Sequence, residues 1–81
     1  MNWTTCCVND ALCTIVNNKI FLFKIVQKTN KYVVLDQLRD NVYNNIIVNI
    51  TGVIGPIEAF IFNNAKFISS DFYIDLYDLL D

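Results

Sequence analysis

IIVNITGVIGPIEAFIFNNAKFISSDFYIDLYDLLD, residues Ile46 to Asp81, is the stretch on which the fold turns. Ile46, Val48, Ile50, Gly52 and Ile54 fall on alternate positions while Asn49 and Thr51 interrupt the other face, the period of a half-buried strand. Gly55-Pro56 ends that run. Ile57, Ala59 and Ile61 then resume the alternation with Glu58 opposite, and Asn63-Asn64 close it, so a second strand is expected there. From about residue 71 to 81 the period changes to that of a helix. At ~100° per residue, Leu79, Phe72, Leu76, Leu80, Tyr73 and Tyr77 cover roughly 160° of its surface. Asp75, Asp78 and Asp81 take the other side, with Ile74 the exception. A helix resting on one sheet needs an apolar stripe nearer ~100°. Ser70 or Asp71 is the expected N-cap. Asp78 and Asp81 sit at the unfavourable end of the dipole, and so short a helix does not persist alone in water. It requires tertiary or partner contacts.

Upstream, Ala11 to Val16 reads as a first strand and Asn17-Asn18-Lys19 as a hairpin, since Asn enters the left-handed region at low cost. Ile20 to Val26 is the second strand: Phe21, Phe23 and Ile25 point one way, and Ile20, Leu22, Lys24 and Val26 the other. Lys28 to Lys31 makes a turn before a third strand, Tyr32 to Leu35. Asp36 to Asn45 is polar and is expected to be a loop or a single helical turn. Trp3 is expected to pack over the end of the barrel. The resulting order, five short strands and a C-terminal helix, suits an all-β fold: a five-stranded OB-fold barrel with a C-terminal α-helix, residues 1–81 forming one domain. An SH3-like barrel or a small α+β sheet fits the same pattern.

The chain of 81 residues has room for one small core; it is 54% hydrophobic and 17% charged. So apolar a chain without a disulfide framework is expected to bury some surface against another subunit. Cys6, Cys7 and Cys13 are odd in number and lack metal-site spacing, which points to reduced thiols in an intracellular compartment. With no histidine, the usual zinc sets and the commonest general base are missing, and Asp75 and Asp78 lie on a solvated helix face. No enzyme, metal or cofactor is expected. The longest apolar tract, Ile46 to Phe62, is interrupted by Asn49, Pro56 and Glu58, so no membrane span is expected, and residues 1–10 lack a basic region followed by an apolar core, so no signal peptide is expected either. Five of the six basic residues, Lys19, Lys24, Lys28, Lys31 and Arg39, lie in one quarter of the chain, and the last eleven residues carry four acids. The expected weak nucleic-acid surface is Lys24, Lys28, Lys31 and Tyr32, with Phe21 and Phe23 interleaved. A net charge of −2 means that a phosphate backbone would be held only with help from a partner.

Val48, Gly52 and Val53 in the strand, then Asp71, Phe72, Ile74, Leu76, Tyr77 and Leu80 at the helix, follow a pattern of glycine-bearing strand, turn, fifth strand and an acidic-aromatic step of the form DFDLxLYNxxV. In this the run from Val48 to Leu80 resembles the smallest-subunit family of replication protein A, the eukaryotic heterotrimer that binds single-stranded DNA. Upstream the likeness is one of order and spacing. The resemblance implies a non-catalytic OB-fold subunit whose C-terminal helix packs with helices of two larger OB-fold subunits. It also implies a role in DNA replication, repair and recombination in the nucleus. Phe72, Tyr73, Leu76, Tyr77, Leu79 and Leu80 would form the partner face, and DNA would be held mainly by the complex. The smallest subunit of a telomere-capping trimer shares this architecture, and an independent small barrel binding RNA or a peptide is the alternative from another class.

Overall fold

The computed structural model describes residues 2–37, 45–52 and 55–80, with Leu80 described by its backbone alone. Its elements are β1 (Ala11–Val16), β2 (Lys19–Lys28), β3 (Tyr32–Gln37), β4 (Asn45–Asn49), α1 (Pro56–Asn64), β5 (Lys66–Ile68) and α2 (Ser70–Leu80). The five strands form one antiparallel sheet in the order β4-β3-β2-β1-β5. The expected strand count and C-terminal helix are present. The expected closed barrel is not: β4 and β5 stand at opposite edges of the sheet, among the described residues.

β1 and β2 are joined by Asn17 and Asn18, both at positive φ (50° and 65°), which gives a two-residue turn whose twist matches that of the strands it joins. Strand β2 carries one extra residue, Val26, between the pairs Ile25↔Leu35 and Gln27↔Val34. This bulge flips the side chains that follow. β3 runs two residues further than expected, through Asp36 and Gln37. Asn45, the last residue of the expected polar loop, opens β4, and residues 38–44, including Arg39, lie outside the described residues. β4 stops at Asn49, whose Oδ1 accepts hydrogen bonds from the Thr51 N–H (3.3 Å) and hydroxyl (2.8 Å) and so turns the chain out of the ladder. The expected continuation through Val53 and Ile54 lies outside the described residues.

The largest departure is at residues 57–61, expected as the fifth strand and found as the middle of α1. Pro56 occupies the first turn after an extended Gly55, its missing N–H costing nothing there, and Glu58 sits at the positive end of the dipole. Glu58 also does something a strand residue could not: its Oε1 accepts the Asn49 N–H at 2.6 Å, tying the helix to the edge of β4. The true fifth strand is the three-residue β5, paired with Ala11, Leu12 and Cys13 of β1.

The sheet buries both faces unequally. One carries Leu12, Phe23, Ile25, Val33, Leu35, Ile46 and Val48, closed over by Cys6 and by Ile61 of α1. Trp3, expected over the end of a barrel, instead completes that side of the open sheet, stacked on Phe62 (5.6 Å between rings) and edge-on to Phe67 (5.2 Å), with its indole N–H donated to the Phe62 carbonyl at 3.0 Å. The other face, with Cys13 and Leu22, receives Leu76 of α2.

Candidate interaction surfaces

Helix α2 begins one residue earlier than expected. Ser69, not Ser70 or Asp71, is the cap: its Oγ accepts the Phe72 N–H at 3.1 Å. Lys66–Ile68 lays the chain beside β1, so the helix that follows crosses the sheet face opposite α1. Leu76, 8% exposed, seats between Cys13 and Leu22, and Tyr73, Ile20 and Ile68 pack around it. Leu76 and Tyr73 lie about 60° apart on the helix at 100° per residue. Phe72 and Leu79 flank them on one side and Tyr77 on the other. Phe72 is 50%, Ile74 55% and Leu79 79% exposed, and Tyr77 also reaches solvent. Of the six residues expected on the partner face, Leu76 is taken up by the chain's own sheet and Tyr73 is half-buried on it. Phe72, Tyr77 and Leu79 overhang. The Leu80 side chain lies outside the described residues. Asp71, Asp75 and Asp78 border the Phe72 and Leu79 side of the helix and are exposed.

The expected basic-aromatic surface is dispersed. Phe21 and Phe23 lie on the face that α1 covers and Lys24 on the face that carries α2, since neighbouring strand residues point opposite ways. Past the bulge, Lys28 pairs with Val33 and turns toward the core side, where its ammonium donates to the carbonyls of Cys6 (2.6 Å) and Thr4 (2.9 Å). It holds down the N-terminal segment. Lys31 is exposed in the turn closed by Thr29, whose Oγ1 accepts the N–H groups of Lys31 and Tyr32, each at 3.1 Å. Tyr32 lies roughly 13 Å along β3 from Asp36, the cross-strand partner of Lys24. Lys24 instead meets the helix, sharing a shallow recess with Tyr73, Ile74 and Tyr77. Lys24, expected on the nucleic-acid surface, therefore meets Tyr73 and Tyr77, expected on the partner face.

All three cysteines are free thiols; Cys7 is exposed, and Cys6 and Cys13 are buried. Burial raises the Cys6 thiol above its ordinary range against the opposing pull of Lys28, and burial likewise raises Cys13 against Lys66. Among the described residues no group of acids and thiols is placed to hold a metal ion, and no helix is long and apolar enough to cross a membrane.

One structural feature went unread in the sequence. Gln37 continues the alternation of Val33 and Leu35 and so points inward, opposite Phe23. Its place in a polar run hid it. Beside it, between α1 and one end of the sheet, lies a recess of about 340 Å³ lined by Thr14, Phe21, Phe23, Gln37, Ile57 and Phe60 among others.

Comparison with known proteins yields no match. No family model fits the chain, and no curated protein or solved structure is significantly similar to it.

Proposed function

We propose that this chain is a non-catalytic small subunit that joins a heterotrimeric single-stranded-DNA-binding complex of the replication protein A type through α2. The observation that carries the assembly role is the overhang of Phe72, Leu79 and Tyr77 on a helix that its own sheet engages through Leu76 and Tyr73. The apolar edge of Phe72 and Leu79, bordered by Asp71, Asp75 and Asp78, suits partner helices with an apolar seam and a basic flank. The kind of complex, its work in replication, repair and recombination, and its nuclear location rest on the resemblance of Val48–Leu80. With Lys28 engaged at the N-terminal segment, DNA affinity belongs to the assembly rather than to the isolated chain. The test is co-expression of the tagged chain with the two larger subunits, followed by size exclusion. Co-elution in equal amounts, lost on Leu79→Glu, is expected; separate elution of the unaltered chain overturns the reading.

The finer fold that accompanies this reading is an OB-type barrel. One observation favours a second reading, the independent small barrel that binds RNA or a peptide. The last strand returns to the first, just after a short helix, which is the order of an SH3-like barrel, whereas an OB barrel pairs its first strand with its fourth. Contacts between facing Cα protons, measured by NMR, separate the two: β1 against β5 supports the SH3-like order, β1 against β4 the OB order.

A further inference from the structure

Gln37 is 7% exposed, and its side-chain oxygen is buried without a hydrogen-bond partner. Buried acceptors are ordinarily satisfied, and one left open costs more than a made hydrogen bond returns. Gln37 lines the recess between α1 and the sheet, and its oxygen lies just beneath that wall, so that a turn of the side-chain amide brings it to the recess. The floor is Thr14, Val16, Phe21 and Phe23 from the β1–β2 hairpin with Ile46 of β4; Pro56, Ile57, Phe60 and Ile61 of α1 form the other wall. Ile57 and Phe60 remain exposed at the rim, so the helix covers this end of the sheet incompletely.

We propose that the recess binds a small, flat, mostly apolar molecule carrying a single N–H or O–H donor, of the indole or phenol class, with that donor satisfying the Gln37 amide oxygen. The size fits: an apolar cavity of about 150 Å³ takes one benzene ring, so about 340 Å³ has room for a fused bicycle. The chemistry narrows the class further. Three phenylalanines offer faces and edges to an aromatic ring, and Thr14 and Gln37 are the polar side chains among the described lining residues. A nucleobase, with several donors and acceptors around its edge, would bury more polar groups than these two can satisfy. The site lies on the sheet face opposite α2 and does not depend on the assembly role, so either can fail without the other.

The test titrates isotopically labelled chain with indole, with indene, its near-isostere lacking the N–H, and with uracil, following amide shifts. Indole is expected to perturb Thr14, Phe23, Gln37 and Ile57 and to bind about tenfold more tightly than indene, the ordinary worth of one buried hydrogen bond. In Gln37→Leu, which replaces the orphaned amide by an apolar side chain of similar size, that preference disappears. Phe60→Ala, at the exposed rim, weakens both ligands severalfold. No saturable shift with millimolar indole, equal affinity for indole and indene in the unaltered chain, or tighter binding of uracil each overturns the proposal.

Discussion

Lys28 illustrates how one inserted residue reassigns a charge. Were Val26 paired in the ladder rather than bulged, strict alternation would put Lys28 on the face shared with Lys24; with the bulge, the ammonium lies under the N-terminal segment, bonded to two carbonyls. Charge-assisted bonds of this kind contribute more than neutral ones. Lys28→Met, which keeps the stem, is expected to cost about 1–2 kcal/mol in urea unfolding. It should leave the DNA affinity of the proposed complex unchanged. The thiols separate in a similar way. Cys7 is expected to react first with a thiol reagent, and Cys6 and Cys13 only as the chain opens. Because burial raises both hidden thiols, the folded chain holds their protons more tightly than the unfolded one. Their contribution to stability is therefore complete below the unfolded thiol pKa of about 8.5 and is lost as pH rises beyond it. Denaturation at pH 7 and pH 10 measures this loss, and the double variant Cys6→Ala, Cys13→Ala should show a smaller difference between the two.

At the scale of elements, period-2 patterning and turn chemistry made the β1–β2 hairpin and β3 legible, down to the opposite facing of Phe23 and Leu22. The same patterning misled at Ile57, Ala59 and Ile61. In so apolar a segment alternation and helical spacing coexist, and Pro56 with Glu58 carried the better signal as the opening of a helix. β5 was missed because three residues show no period, and Gln37 because a polar residue on a buried face looks like loop. The excess width of the α2 stripe was legible, but which part of it the sheet would occupy depended on where β5 placed the helix. Glu58 gives α1 a measurable role: Glu58→Ala, by freeing the Asn49 N–H at the edge of β4, is expected to lower stability by about 1–2 kcal/mol. The chemical-denaturation midpoint reports it.

Over the whole molecule, the two sides of α2 should respond oppositely to the same substitution. In the isolated chain Leu76→Ala empties a buried seat and is expected to cost about 2–4 kcal/mol, whereas Leu79→Ala, at an exposed position, changes stability by no more than about 0.5 kcal/mol. In the proposed complex, where Leu79 would lie in a buried seam, the order reverses for affinity: its loss should weaken association by roughly tenfold or more. Thermal denaturation of the free chain, set beside titration into the larger subunits, measures both.

β5 is stitched to β1 across Ala11, Leu12 and Cys13, and α2 follows it after the single residue Ser69. That seam works as a clasp. Opened, it releases strand and helix together while the four-strand meander stays whole, so amide protons of the tail should exchange with solvent well before those of β2 and β3. A partner that grips the helix would fasten the clasp from outside. Joining a complex would then slow exchange along β1 as well, at positions the partner never touches.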